Sequence, residues 1–163
     1  MTHKRPILLV CTGNLCRSPM AEAILKDLLR MDGRAGTYEV HSAGTWTLGG
    51  SGPSSLAAQV MDEMGLDISD HRSRHLGRDD VEEAALIIAM AREHKEALAA
   101  EFPGSSGKIS LLRELAGESG DIADPYGSDS LDLYRECASE IRRLLKKAYP
   151  RILELAGENM LGE

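Results

Sequence analysis

The chain has 163 residues, 42% hydrophobic and 28% charged, the balance of a soluble globular protein with one domain, 1–163, and an ordinary core. A formal net charge of −7 argues against nucleic acid or an anionic membrane as the main partner, and no apolar stretch approaches membrane-spanning length. Three cysteines, an odd number with Cys11 and Cys16 close together, do not read as a disulfide framework, so a reducing cytoplasm is the expected location.

Met1-Thr2-His3-Lys4-Arg5 runs directly into Ile7-Leu8-Leu9-Val10, an apolar run too short for a signal peptide, which predicts a strand. The strand delivers Cys11-Thr12-Gly13-Asn14-Leu15-Cys16-Arg17-Ser18 to the start of a helix, with Ser18 as its N-cap and Pro19 as its first residue. A curled loop whose amides converge at a helix N-terminus is an anion site, and Arg17 offers it a planar two-oxygen fork. Gly13 is the expected positive-φ residue of the curl. The field of the loop is expected to favour the Cys11 thiolate, the form that acts as a nucleophile. Without its context the same pattern reads as a buried small cysteine and a surface arginine.

Met20, Ile24, Leu28 and Met31 form a helical stripe ended by Asp32-Gly33. Tyr38 to Ser42 predicts a second strand, followed by Trp46 and a Gly/Ser/Pro-rich connection from Gly49 to Ser54. A helix from about Pro53 carries Leu56, Ala57, Val60, Met61 and Met64 and stops at Gly65. Asp67 to Arg78 reads as polar and irregular. Ala84 to Ala89 predicts a strand buried on both faces, Arg92 to Glu101 a helix, and Lys108 to Leu112 a fourth strand. A Gly/Asp-rich loop then holds Asp124. The last helix starts near 128–130 with Tyr134, Cys137, Ala138, Ile141, Leu144, Leu145 and Ala148 on one face, which makes Cys137 a core cysteine. Pro150 is expected to kink or end it, and the state of Ile152 to Ala156 is left open.

Alternating strands and helices predict an α/β fold: a four-stranded parallel sheet with helices on both faces and the phosphate-binding loop after strand 1. Cys11, Trp46 and Asp124 all follow strands, and ligands of open α/β sheets sit at the strands' carboxyl ends. Trp46 and Tyr126 are the aromatics placed to line the mouth, where rings can stack on an aryl group. His71 and His75 are four apart, but no Cys or Glu partner falls in register, so no metal is expected, and no cofactor.

Cys11-Thr12-Gly13-Asn14-Leu15-Cys16-Arg17-Ser18-Pro19-Met20-Ala21-Glu22 resembles the signature of the low-molecular-weight protein tyrosine phosphatases, in their bacterial form. The likeness continues through Ser42-Ala43-Gly44-Thr45-Trp46, Asp70-His71-Arg72-Ser73-Arg74 and Asp124-Pro125-Tyr126-Gly127. It implies a metal-independent hydrolase of phosphotyrosine in proteins. Cys11 would be the nucleophile forming phosphocysteine, Arg17 the phosphate clamp, and residues Thr12 to Ser18 the rest of the phosphate-binding loop. Asp124, held extended by Pro125, would be the general acid and then the base for water. The resemblance also implies that Ser18 bonds the Cys11 thiolate while Asn14, Ser42 and His71 hold the curl. Taken singly, Asn14 reads as a turn former, Ser18 as a helix cap, Ser42 as a strand-end residue and His71 as a surface histidine. Cys16 would pair with Cys11 on oxidation, against a plainer reading as a packing residue. Vertebrate members carry two adjacent tyrosines after the Asp-Pro, and here Tyr126 is followed by Gly127. A monomer or weak homodimer is expected.

The main rival is a protein-arginine phosphatase of the same fold, which carries threonine where Leu15 stands. A thiol-coupled arsenate reductase needs two further cysteines around residues 80 to 90, which this stretch lacks. A cysteine-phosphorylated carrier must keep its phosphoryl group and has no use for Arg17 and Asp124. A pure phosphoanion-binding module would explain the loop but not Asp124.

Overall fold

The computed structural model describes residues 4–161. Four short strands, β1 (Arg5–Cys11), β2 (Tyr38–Gly44), β3 (Leu86–Ala89) and β4 (Ile109–Leu111), form one sheet in the order β2-β1-β3-β4. Every pairing is parallel. The chain leaves β1 toward β2 and later returns to β3 on the other side, so the order reverses at β1. That switch opens a crevice at the carboxyl ends of β1 and β3, where ligands of such sheets bind.

Side chains of β1 alternate between two cores. Ile7, Leu9 and Cys11 face the helices α1 (Arg17–Met31), α2 (Ser55–Glu63) and α6 (Leu131–Leu161). Leu8 and Val10 face the other side, with Val81 of α3 (Arg78–Glu83) and Leu98 of α4 (Arg92–Glu101). Burial on both faces explains why β1 and β3 read as continuous apolar runs. Among the described residues no helix is long and apolar enough to cross a membrane.

The expected α/β architecture is the observed one, with local corrections. Met31 is exposed and Leu28 only partly buried; Ala21, Leu25 and Leu29 join Met20 and Ile24 in the core face of α1. Ala84 and Ala85 are buried but precede β3, and β4 is shorter than expected. α3, at the end of the segment read as irregular, and α5 (Leu112–Leu115) were not anticipated. The helix expected from Pro53 begins at Ser55. α6 passes through Pro150. Pro150 lies on the solvent face, where water can serve the carbonyl it leaves without a partner, and Ile152 and Ala156 beyond it are fully buried.

Candidate active site

β1 ends at Cys11, and the next residues curl back under the N-terminus of α1. Among the described residues, none of the amides from Thr12 to Arg17 donates to a backbone carbonyl. Such a run of unpaired N–H groups at a helix start is the donor set of an oxyanion site. Gly13 was the expected positive-φ residue, yet the left-handed residue is Asn14, at φ 59°. Asn14 holds that conformation because every polar group it has, apart from its amide, is bonded. Its Nδ2 donates to Ser18 Oγ at 2.8 Å and Ser42 Oγ at 3.0 Å. Its Oδ1 accepts from the Arg74 amide at 3.1 Å, and its carbonyl from His71 Nε2 at 2.8 Å. An Asn tolerates this region better than most residues, and the bonds fix it there.

Ser18 was expected as the N-cap of α1. The cap position belongs to Cys16, and Ser18 lies within the first turn, where its hydroxyl turns to the Cys11 sulfur instead. Because Asn14 donates to Ser18 Oγ, the Ser18 proton is directed to Cys11 Sγ, 2.9 Å away. The chain of bonds continues past Asn14 to Ser42, whose hydroxyl donates to Glu22 Oε1 at 2.5 Å. Nothing in the sequence marks Glu22, the last residue of the signature stretch, for this place in the chain of bonds.

Arg17 is almost fully buried, an unusual place for a guanidinium. Its Nη1 donates to the Ile122 carbonyl at 2.9 Å and its Nη2 meets Asp124 Oδ2 at 3.2 Å. Its Nε is the one buried side-chain N or O atom without a partner among the described residues. A buried cationic N–H without an acceptor costs enough that an incoming oxyanion is its natural complement. Asp124 is about half exposed, and its other oxygen accepts from the Tyr126 amide at 3.1 Å.

Cys11, Thr12, Gly13, Leu15, Cys16, Arg17, Asp124, Trp46 and Tyr126 all line one cleft of about 360 Å³. Trp46 and Tyr126 are largely exposed on the cleft wall, and Leu48, fully exposed, lines the same cleft. Leu48 was missed because a single leucine in a Gly/Ser loop carries no periodic signal. A larger hollow of about 440 Å³ lies behind the loop between α1 and residues 66–71. Its lining includes Glu22 and His71 but no cysteine.

Gly44 is where β2 must pass the loop. A Cβ built there would lie 2.4 Å from the Thr12 carbonyl and 3.2 Å from the Gly13 carbonyl carbon, so no other residue fits. The close approach lets the Thr45 and Trp46 amides bond the carbonyls of Cys11 and Thr12 at 2.9 and 3.0 Å.

Cys16 is buried, with its sulfur 3.6 Å from the Tyr134 hydroxyl. Burial pushes its thiol up to about 11, against the weaker opposing pull of the Tyr134 and Ser54 hydroxyls. All three cysteines are free thiols. Cys137 packs in the α6 core as expected, and burial raises its thiol to about 12.

A doubly wound parallel sheet presenting a buried arginine and a cysteine in one amide-lined loop defines a phosphate-handling hydrolase. Residues 6–156 match the family described as low molecular weight phosphotyrosine protein phosphatase. A protein-arginine-phosphatase of Geobacillus stearothermophilus is 37% identical over 142 residues, covering 86% of this chain and 91% of that protein. A probable low molecular weight protein-tyrosine-phosphatase, EpsP, of Ralstonia nicotianae is 37% identical over 151 residues, covering 93% and 98%. The crystal structure of the low molecular weight protein tyrosine phosphatase of T. tengcongensis superposes with a TM-score of 0.85 at 40% identity, covering 91% of this chain and 99% of that one. The chain belongs to the low molecular weight phosphotyrosine protein phosphatase family, and is a hydrolase of the protein-tyrosine-phosphatase class.

Proposed function

We propose that the chain hydrolyses phosphotyrosine in proteins through a phosphocysteine formed on Cys11. The Cys11 thiolate, oriented by Ser18, attacks phosphorus; the S–P bond forms as the bond to the phenolic oxygen breaks. The phosphoryl oxygens take the loop amides and the Nε and Nη groups of Arg17, where charge gathers in the transition state. Asp124, protonated, gives its proton to the departing oxygen; as a carboxylate it then takes one from the water that cleaves the S–P bond, releasing phosphate and regenerating the thiolate. The orphaned Nε of buried Arg17, in the cleft that Cys11 also lines, is the observation that supports this reading most directly.

Trp46, Tyr126 and Leu15 offer an aryl group apolar surface at the mouth. Free thiols and an acidic surface fit a reducing cytoplasm, with no nucleic acid or membrane partner and a monomer or weak homodimer as the working form.

A second reading, dephosphorylation of arginine, draws support from the similarity to relatives named arginine phosphatases. Purified protein assayed on phosphotyrosine and phosphoarginine peptides, with and without chelator, separates the two. Cys11→Ser is expected to abolish turnover on either. Full activity in that variant, or abolition by a chelator, overturns the proposal.

A further inference from the structure

Helix α4 follows β3 directly, and the reversal of strand order sets its first turn beside the loop after β1. The residue before the helix is Ala91, which has no side chain to cap it. His94 does that work: its Nδ1 accepts the Ala91 amide at 3.0 Å. A ring nitrogen that accepts an N–H carries no proton, so the neutral imidazole bears its hydrogen on Nε2. Nε2 lies 2.8 Å from Thr12 Oγ1, a partner 82 residues earlier in the chain. Nε2–H is therefore the donor and Thr12 Oγ1 the acceptor, which leaves the hydroxyl its own proton to give. Thr12 lines the cleft with Cys11 and Arg17.

We propose that His94 is a positioning residue that fixes the polarity of the phosphate loop, turning the Thr12 hydroxyl into a donor to the bound oxyanion. The relay runs in one direction, from the Ala91 amide through the ring to Thr12 and on to the anion. Its last step rests on the phosphatase reading of the cleft.

Two further observations agree. His94 is fully buried, and burial, seconded by the nearby charge of Arg17, holds its pKa down at about 4. The ring therefore stays neutral although Asp124, Asp121 and Glu93 face it with negative charge. A protonated ring would set Nδ1–H against the Ala91 N–H, donor against donor, so the neutral form is the one that fits the turn. Capping alone needs only Nδ1. The Nε2 bond to a loop residue is a separate property of the same ring.

The two nitrogens can be tested apart. His94→Asn keeps an acceptor near the position of Nδ1 and loses the far nitrogen, whereas His94→Gln can place an N–H near Thr12. The readout is competitive inhibition by inorganic phosphate, with kcat and thermal stability measured alongside. His94→Asn and Thr12→Val should each weaken phosphate about tenfold or more, the scale of a hydrogen bond to a charged group. The double variant should weaken it no further than either single one, and His94→Gln should recover most of the loss. Unchanged phosphate affinity in a folded His94→Asn overturns the relay, as does a double variant whose loss is the product of the single ones. Thr12→Val keeps the shape of threonine and decides the matter even if His94→Asn does not fold: unchanged affinity there also overturns it. Wild-type protein that neither binds phosphate nor cleaves any phosphate monoester would instead overturn the phosphatase reading beneath it.

Discussion

Arg17 Nη2 and Asp124 Oδ2 are joined at 3.2 Å across the cleft, so in the proposed mechanism one guanidinium serves both the acid and the phosphate. An entering dianion competes with the Asp124 carboxylate for that cation. Asp124→Asn removes the competitor along with the proton donor. It should slow phosphates with poor leaving groups by about 10²–10⁴-fold, the range of general-acid catalysis, and good ones far less. Inorganic phosphate should bind the variant more tightly than wild type. A leaving-group series with a parallel phosphate titration checks both, and equal losses across the series would assign the acid elsewhere.

Leu15 should set the choice of leaving group. It lines the cleft and offers apolar surface to a phenyl ring but no acceptor to a guanidinium. An unsatisfied polar group costs about 1–3 kcal/mol, and ring packing gains on the order of 1 kcal/mol. Both favour tyrosine, and a preference of roughly 10²-fold in kcat/KM is expected. Leu15→Thr should shrink that ratio. Equal efficiency of wild type on arginine and tyrosine peptides would remove this role from Leu15.

Cys16 should protect the nucleophile rather than catalyse. Cys16→Ala is expected to keep near-normal turnover but, after peroxide, to resist rescue by added thiol. Peroxide converts the Cys11 thiolate to a sulfenic acid; a Cys16 thiolate attacks its sulfur, the S–S bond forms as the S–O bond breaks, and hydroxide leaves, taking a proton from solvent to become water. With the Cys16 thiol raised to about 11, its thiolate fraction grows about tenfold per pH unit through the neutral range. Closure of the disulfide should accelerate accordingly, as quenched-flow trapping would show. Recovery of Cys16→Ala as complete as that of wild type would refute the pairing.

Acid should destabilise the fold through His94. Its ordinary pKa is 6.5 and its folded value about 4, so between these values the unfolded chain binds the extra proton. Stability is then fully present above the ordinary pKa and falls as pH drops from about 6.5 to about 4, by at most about 3 kcal/mol. Urea denaturation at several pH values should show a flatter profile in His94→Gln than in wild type.

Gly44→Ala should lower stability by about 1–3 kcal/mol, the usual cost of overpacking, and distort the loop enough to reduce turnover. Gly13→Ala is the contrast: its new methyl would meet only Leu15, at 3.8 Å, and thermal melts should show little change.

The sheet was legible because strands buried on both faces write themselves as apolar runs, and because Cys11 and Arg17 share one short loop. What escaped was set by distant partners. Asn14 takes the left-handed conformation that local preference assigns to Gly13, because Ser42, His71 and Arg74 bond it there. Helical spacing through Met31 overran the contact with α6, leaving that side chain exposed. His94 is one polar residue among several on α4, and nothing near it in sequence announces Thr12. The resemblance to known phosphatases located Asp124, Ser42 and His71, which spacing alone could not.

The clamps on the eight-residue loop come from far along the chain: Ser42, Ser54, His71, Arg74, His94 and the Ile122 carbonyl all hold it. Contacts so widely separated in sequence are the slow ones to close. In refolding, β1, α1 and their immediate neighbours can form while the loop remains without its shape, so helical signal should return before phosphate binding does. On the proposed mechanism, catalytic competence should then be the last property the chain acquires, and a half-folded molecule should carry no active nucleophile.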